Sequence, residues 1–68
     1  MSPLTDRQRQ VLAFIASYQG VCGYPPTTRE IADRFDFVQN AAMNHLRALK
    51  EKGRIDWRPN RARTIRIL

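Results

Sequence analysis

Asn40, Met43, Asn44 and Arg47 recur at i, i+3, i+4 and i+7, so a helix carrying them would present all four on one face. Carboxamides and guanidinium groups make paired hydrogen bonds to adenine and guanine edges, and a thioether or an alanine methyl can touch the methyl of thymine. This set holds no acid and only one long charged side chain. The chemistry it suggests is the reading of base edges in a DNA major groove.

A second group of candidates lies in the last 19 residues. There seven Lys or Arg face only Glu51 and Asp56, so most of the net charge of +6 is concentrated at that end. Such a block is often a solvated tail. Here, however, Ile55, Trp57, Ile65 and Ile67 alternate with the charges at period two, an alternation of no use to a disordered segment. A basic β-hairpin that lies against phosphates is the expectation. Its contacts are placed at Arg58, Asn60, Arg61 and Arg63, with Arg54 at its base.

Other chemistries find little support. One cysteine, Cys22, and one histidine, His45, cannot supply four protein ligands to zinc, and no internal disulfide is possible. No spaced carboxylate pair, glycine-rich phosphate loop or nucleophile–base motif is visible, so neither an enzyme nor a metal or cofactor site is expected. His45 is expected to be a packed side chain, and Cys22 a loop thiol without a role. The N-terminus lacks the apolar stretch of a signal peptide, and no apolar run nears the length of a membrane span. With a lone cysteine, these features point to the cytoplasm, in the bacterial cytoplasm or nucleoid.

The elements that must hold these groups can be traced along the chain. At 68 residues there is room for one domain, taken as 1–68. Thr5 with Gln8 forms a capping box that opens a helix over 5–19, whose apolar face is Val11, Phe14, Ile15 and Tyr18. Gly20 and Gly23 are expected to end it, and Tyr24-Pro25-Pro26 prevents its continuation. Thr27 with Glu30 opens a second, short helix bearing Ile31 and Phe35, with Asp36 at a left-handed turn position. A third helix runs from about Asn40 to Glu51 and stops at Gly53; Ala42, His45, Leu46 and Leu49 form its inward face. Strands at 54–57 and 64–67 follow, joined through Pro59-Asn60-Arg61. The predicted architecture is α+β and mostly helical: a three-helix winged helix-turn-helix with a C-terminal two-stranded β-hairpin wing.

The chain resembles the DNA-binding domain of the LexA-type SOS repressors along nearly its whole length. Carrying the resemblance are Leu4-Thr5-x-Arg7-Gln8, Gly23-Tyr24-Pro25-Pro26-Thr27 and Glu30-Ile31-Ala32. They are followed by Asn40-Ala41-Ala42-x-x-His45-Leu46-x-Ala48-Leu49, Lys52-Gly53-x-Ile55 and Arg63-x-Ile65-Arg66. Each segment is weak alone; their joint order and spacing is specific. The resemblance implies sequence-specific binding of double-stranded DNA by a transcriptional regulator, a repressor in the SOS response. It implies that Asn40 and Ala41 begin the base-reading helix and that Lys52 and the wing flank the phosphates. Thr28, Arg29 and Gln39 are assigned to the phosphates with them.

Where the chain departs from the family, the expectations change. Asp36 stands in the turn where members usually have glycine, and Val38-Gln39 replaces a Ser-Pro step. Met43 and Asn44 stand where proteobacterial members have two acids. A carboxylate accepts from the cytosine amino group, whereas methionine cannot and asparagine favours adenine. A preferred site unlike the usual SOS operator is therefore expected. The self-cleaving C-terminal domain of a complete repressor has no counterpart here. The chain is expected to be either a segment of a longer repressor or a small protein of a phage or other mobile element. It is expected to act as a homodimer on a palindrome or beside a host transcription protein. An alternative expectation is a protein-interaction module that modulates a host repressor or RNA polymerase.

Overall fold

The computed structural model of the chain describes residues 3–59 and 61–68. Three helices, α1 (Asp6–Cys22), α2 (Thr28–Phe35) and α3 (Gln39–Glu51), precede a two-stranded antiparallel hairpin of β1 (Ile55–Asp56) and β2 (Arg66–Ile67). This is the winged helix-turn-helix arrangement expected from the sequence.

Local chemistry accounts for the helix boundaries. Thr5 Oγ1 accepts the Gln8 amide at 3.1 Å, and Gln8 Oε1 accepts the Thr5 amide at 3.1 Å. Thr27 and Glu30 repeat that reciprocal box at the start of α2, with distances of 3.1 and 2.8 Å. Each box satisfies two backbone donors that a helix start leaves free. The first helix is longer than expected, because Gly20 stays helical and carries it on to Cys22. Glycine inside a helix costs about 1 kcal/mol, too little to stop one that has a buried face. Termination falls to Gly23, left-handed at φ 81°, whose amide bonds Gln19 O at 2.9 Å. Cys22 is accordingly an exposed helical residue and not part of a loop.

The turn between α2 and α3 is closed by Asp36 in the left-handed region, at φ 57° and ψ 40°, with the Phe37 amide returning to Ala32 O at 2.9 Å. A side chain in that region carries a steric cost that glycine escapes. Asp36→Gly is expected to raise stability by about 0.5–1 kcal/mol, read as a higher urea midpoint at unchanged slope. An unchanged or lower midpoint would mean that the carboxylate compensates for its backbone.

The core joins all the elements. Val11 and Ile15 of α1, Ile31 of α2, and Ala42, Leu46 and Leu49 of α3 are fully enclosed. Ile55, Trp57 and Ile65 close it from the hairpin side. The period-two pattern therefore marks the wing's inward face, apart from Ile67, which pairs with Ile55 but stands 37% exposed. The strands are shorter than expected, two residues each. The described residues between them form an irregular loop tied by Thr64, whose hydroxyl lies 3.0 Å from the Arg58 amide and 3.1 Å from both Arg58 O and Arg61 O.

Candidate nucleic-acid interface

The third helix is held with one face inward and the opposite face bare. With Ala42, Leu46 and Leu49 packed beneath, Asn40, Asn44 and Arg47 stand exposed along the outer side. Arg47 Nη1 donates to Asn44 Oδ1 at 3.2 Å, which links the two polar tips one turn apart. Met43 does not stand free beside them: it is half-buried and packs against the core. Ala41 is likewise half-buried, at the flank. Glu51, exposed and one turn beyond Arg47, adds an acid at the far end of the same side.

Beside the start of this helix lies a shallow groove lined by Thr27, Thr28, Arg29, Gln39, Pro59, Arg61 and Ala62. The fold thus gathers Thr28, Arg29 and Gln39 from two helix N-termini and sets Arg61 of the wing opposite them. Among the described residues no side chain caps the α3 N-terminus; Val38 occupies the cap position and is 73% exposed. A helix start leaves backbone N–H groups facing outward, which suits an anion. Sequence reasoning noted Val38 as a departure without seeing that it leaves this end open. The absence of Ser, Thr, Asp or Asn at the cap was the available signal.

Other candidate residues are placed differently. Arg58 does not line that groove; it borders a neighbouring hollow with Lys50, Asp56 and Trp57, which Pro59 and Arg61 also line. Arg54 lies beside Pro3, Leu4 and Arg9, at the base of the hairpin. Lys52 is anchored within the molecule, donating to Gln8 Oε1 at 2.6 Å and to Pro3 O at 3.0 Å. Arg63 turns inward to Glu30 and Pro25. Asn60, expected at the wing tip, lies outside the described residues. His45 is stacked on Phe37 with ring centroids 5.0 Å apart, and both burial and the Arg7 charge lower its pKa.

Glu30 links the groove to the body of the domain. Its Oε2 accepts the Tyr18 hydroxyl at 2.6 Å, while Oε1 accepts the Thr27 amide at 2.8 Å and lies 3.0 Å from Arg63 Nη1. The Tyr18 bond is the largest influence, and the Thr27 amide and Arg63 add to it; against the opposing effect of burial they lower the carboxyl pKa to about 2. A depressed acid pKa stabilises the fold fully above the ordinary value of 4.5, and this stabilisation is lost as pH falls towards about 2. The wild-type urea midpoint is therefore expected to fall between about pH 5 and 2, with a shallower fall in Glu30→Gln. Parallel acid profiles for the two proteins would contradict that role.

Among the described residues no group of acids, cysteine and histidine could hold a metal, and no helix is long and apolar enough to cross a membrane. The family described as the LexA DNA binding domain matches residues 1–64. The LexA repressor of Thermotoga maritima is 46% identical over 67 residues, which are 98% of this chain and 34% of that protein. The LexA repressor of Leptospira interrogans is 41% identical over 68 residues, 100% of this chain and 34% of its own length. That of Dechloromonas aromatica is 48% identical over 66 residues, or 96% and 33%. The chain spans about a third of the length of these curated relatives.

Proposed function

Because the chain belongs to the LexA DNA-binding domain family, we propose that it binds double-stranded DNA sequence-specifically and serves transcriptional repression. The observation that carries this reading is the bare face of α3 beside a groove where two helix N-termini and the wing converge. Asn40, Asn44 and Arg47 enter the major groove and read base edges, with Ala41 and Met43 supplying apolar contact at the flank. Thr28, Arg29, Gln39 and the open α3 N-terminus take phosphates on one side, and Arg61 takes them from the wing. Arg58 and Asn60 extend the wing's contact, while Lys52 and Arg54 add positive potential at its base. Helix and groove geometry do all the work in this reading; no catalytic step is involved.

One such module buries only about 600–1,000 Å² on DNA and binds weakly alone. Two copies on an inverted repeat supply the remaining affinity. Since Met43 cannot accept from the cytosine amino group and the Asn44 carboxamide favours the paired donor and acceptor of adenine, the preferred half-site carries adenine or thymine where two acids would select cytosine.

The phosphate role of the wing is tested by titrating a mixed-sequence duplex at several salt concentrations. Arg61→Ala is expected to weaken all duplexes alike and to reduce the slope of log affinity against log salt by about 0.9. A slope equal to that of the wild type would remove Arg61 from the interface.

A further inference from the structure

Arg63 belongs to the most basic stretch of the chain, yet its guanidinium is turned towards the protein. Nη1 lies 3.0 Å from Glu30 Oε1 and donates to Pro25 O at 3.0 Å, while Nη2 reaches Glu30 Oε2 at 3.4 Å. The same group lies over the Tyr24 ring, 4.5 Å from its centroid. Its backbone is left-handed at φ 58°, a conformation that costs a non-glycine residue energy and persists where the surroundings enforce it. The wing therefore bends at Arg63 so that its side chain folds back across the N-terminus of α2. There it meets the carboxylate that caps α2 and that Tyr18 of α1 also holds.

The ends of the wing loop are held by the core through Trp57 and Ile65, and Lys50 of α3 donates to Trp57 O at 2.9 Å; among the described residues, Arg63 makes the side-chain bonds that tie the loop between them to Glu30 of α2. Among the described residues β2 pairs only with β1, and the wing loop is closed on itself through Thr64. Groove residues Arg61 and Ala62 immediately precede Arg63, and Thr27 and Thr28 precede Glu30 by two or three residues. The Arg63–Glu30 pair thus bridges the two walls of the groove.

We propose that Arg63 is a positioning residue, which sets the wing at the distance from α2 and α3 that DNA requires by acting through Glu30. This rests on the DNA-binding reading and refines it, since a basic wing residue is reassigned from phosphate contact to internal support. Without the anchor the wing samples other positions, and the apparent affinity falls with the fraction still correctly placed. Once bound, the wing returns to the same phosphates, so the number of counterions released does not change.

The test compares Arg63→Ala, Glu30→Gln, the double variant and Arg61→Ala on a mixed-sequence duplex across salt concentrations. Gln at position 30 preserves the capping box, so this variant keeps its fold. Arg63→Ala is expected to weaken binding about tenfold with the salt slope unchanged, unlike Arg61→Ala. Glu30→Gln raises the net charge by one above +6, so electrostatics alone would tighten binding; the proposal expects it to weaken several-fold. The double variant should bind no worse than Arg63→Ala, because the two residues act as one unit. A slope reduced by about 0.9 in Arg63→Ala, tighter binding by Glu30→Gln, or additive losses would each overturn the proposal.

A second readout needs no DNA. Amide hydrogen exchange at Arg58 and Arg61, whose N–H groups bond within the wing loop, should quicken in both single variants while α3 stays protected. Unchanged wing exchange would overturn the anchoring role. If the wild type bound no duplex, the DNA-binding reading would fall, and exchange would decide the anchoring alone.

Discussion

Leu46→Ala is expected to destabilise the domain by about 2–5 kcal/mol, the usual range for truncating an enclosed leucine. Leu46 is fully buried on the inner side of α3, in a cluster with Ile15, Ile31 and Ile55. A chain of 68 residues has a total stability of about 3–10 kcal/mol at the usual value per residue. The loss is thus comparable with the whole, and a large unfolded fraction in water is the expected result. DNA binding should disappear with the fold, although Leu46 cannot touch DNA. Urea unfolding followed by the fluorescence of Trp57, which is 2% exposed, measures this directly. A midpoint within experimental error of the wild type would show that α3 is held by other means.

The second large effect concerns recognition. Arg47→Ala and Asn40→Ala are each expected to cost about 1–3 kcal/mol on the preferred duplex, or about 5- to 150-fold in affinity. Both residues are exposed and neither belongs to the core, so the fold should be unaffected. Binding to a scrambled duplex should change far less, because a base contact carries discrimination and a phosphate contact does not. Arg47 also donates to Asn44, so its removal frees the Asn44 amide and relaxes preference at the neighbouring base pair too. Equal losses on preferred and scrambled duplexes would reassign Arg47 to the phosphates.

These effects depend on features of differing range, and range governed what could be read in advance. Both capping boxes were legible because donor and acceptor lie three residues apart, within one turn. The inner and outer faces of α3 were legible for the same reason: helical periodicity assigns a side to each residue without reference to the rest of the chain. The order of helices and the closing hairpin followed from those signals together with the resemblance.

Features set by distant partners were missed. Whether Met43 is covered depends on what packs against the flank of α3, which its helical phase does not specify. The Arg63 carboxylate partner lies 33 residues away, so a charge count saw only another basic residue in a basic segment. Lys52 bonds Pro3, 49 residues distant. Gly20 was misread for a different reason: glycine weakens a helix everywhere, but stops it only where the left-handed turn is required, and Gly23 meets that need. The candidate interface was therefore legible as a helix face and a basic region. The separation of its cations into outward-facing and anchoring ones was not.

If α3 reads DNA sequence, the duplexes that the domain retains must share a motif that depends on the outer face of this helix. The most direct test is selection from a random duplex library at physiological salt, with sequencing of the bound pool for the wild type, Arg47→Ala and Asn40→Ala. An enriched motif is expected for the wild type, arranged as inverted half-sites where two copies bind, and a motif relaxed at defined positions in each variant. Retention of duplexes without enrichment, or one identical motif from all three proteins, would contradict base reading by α3.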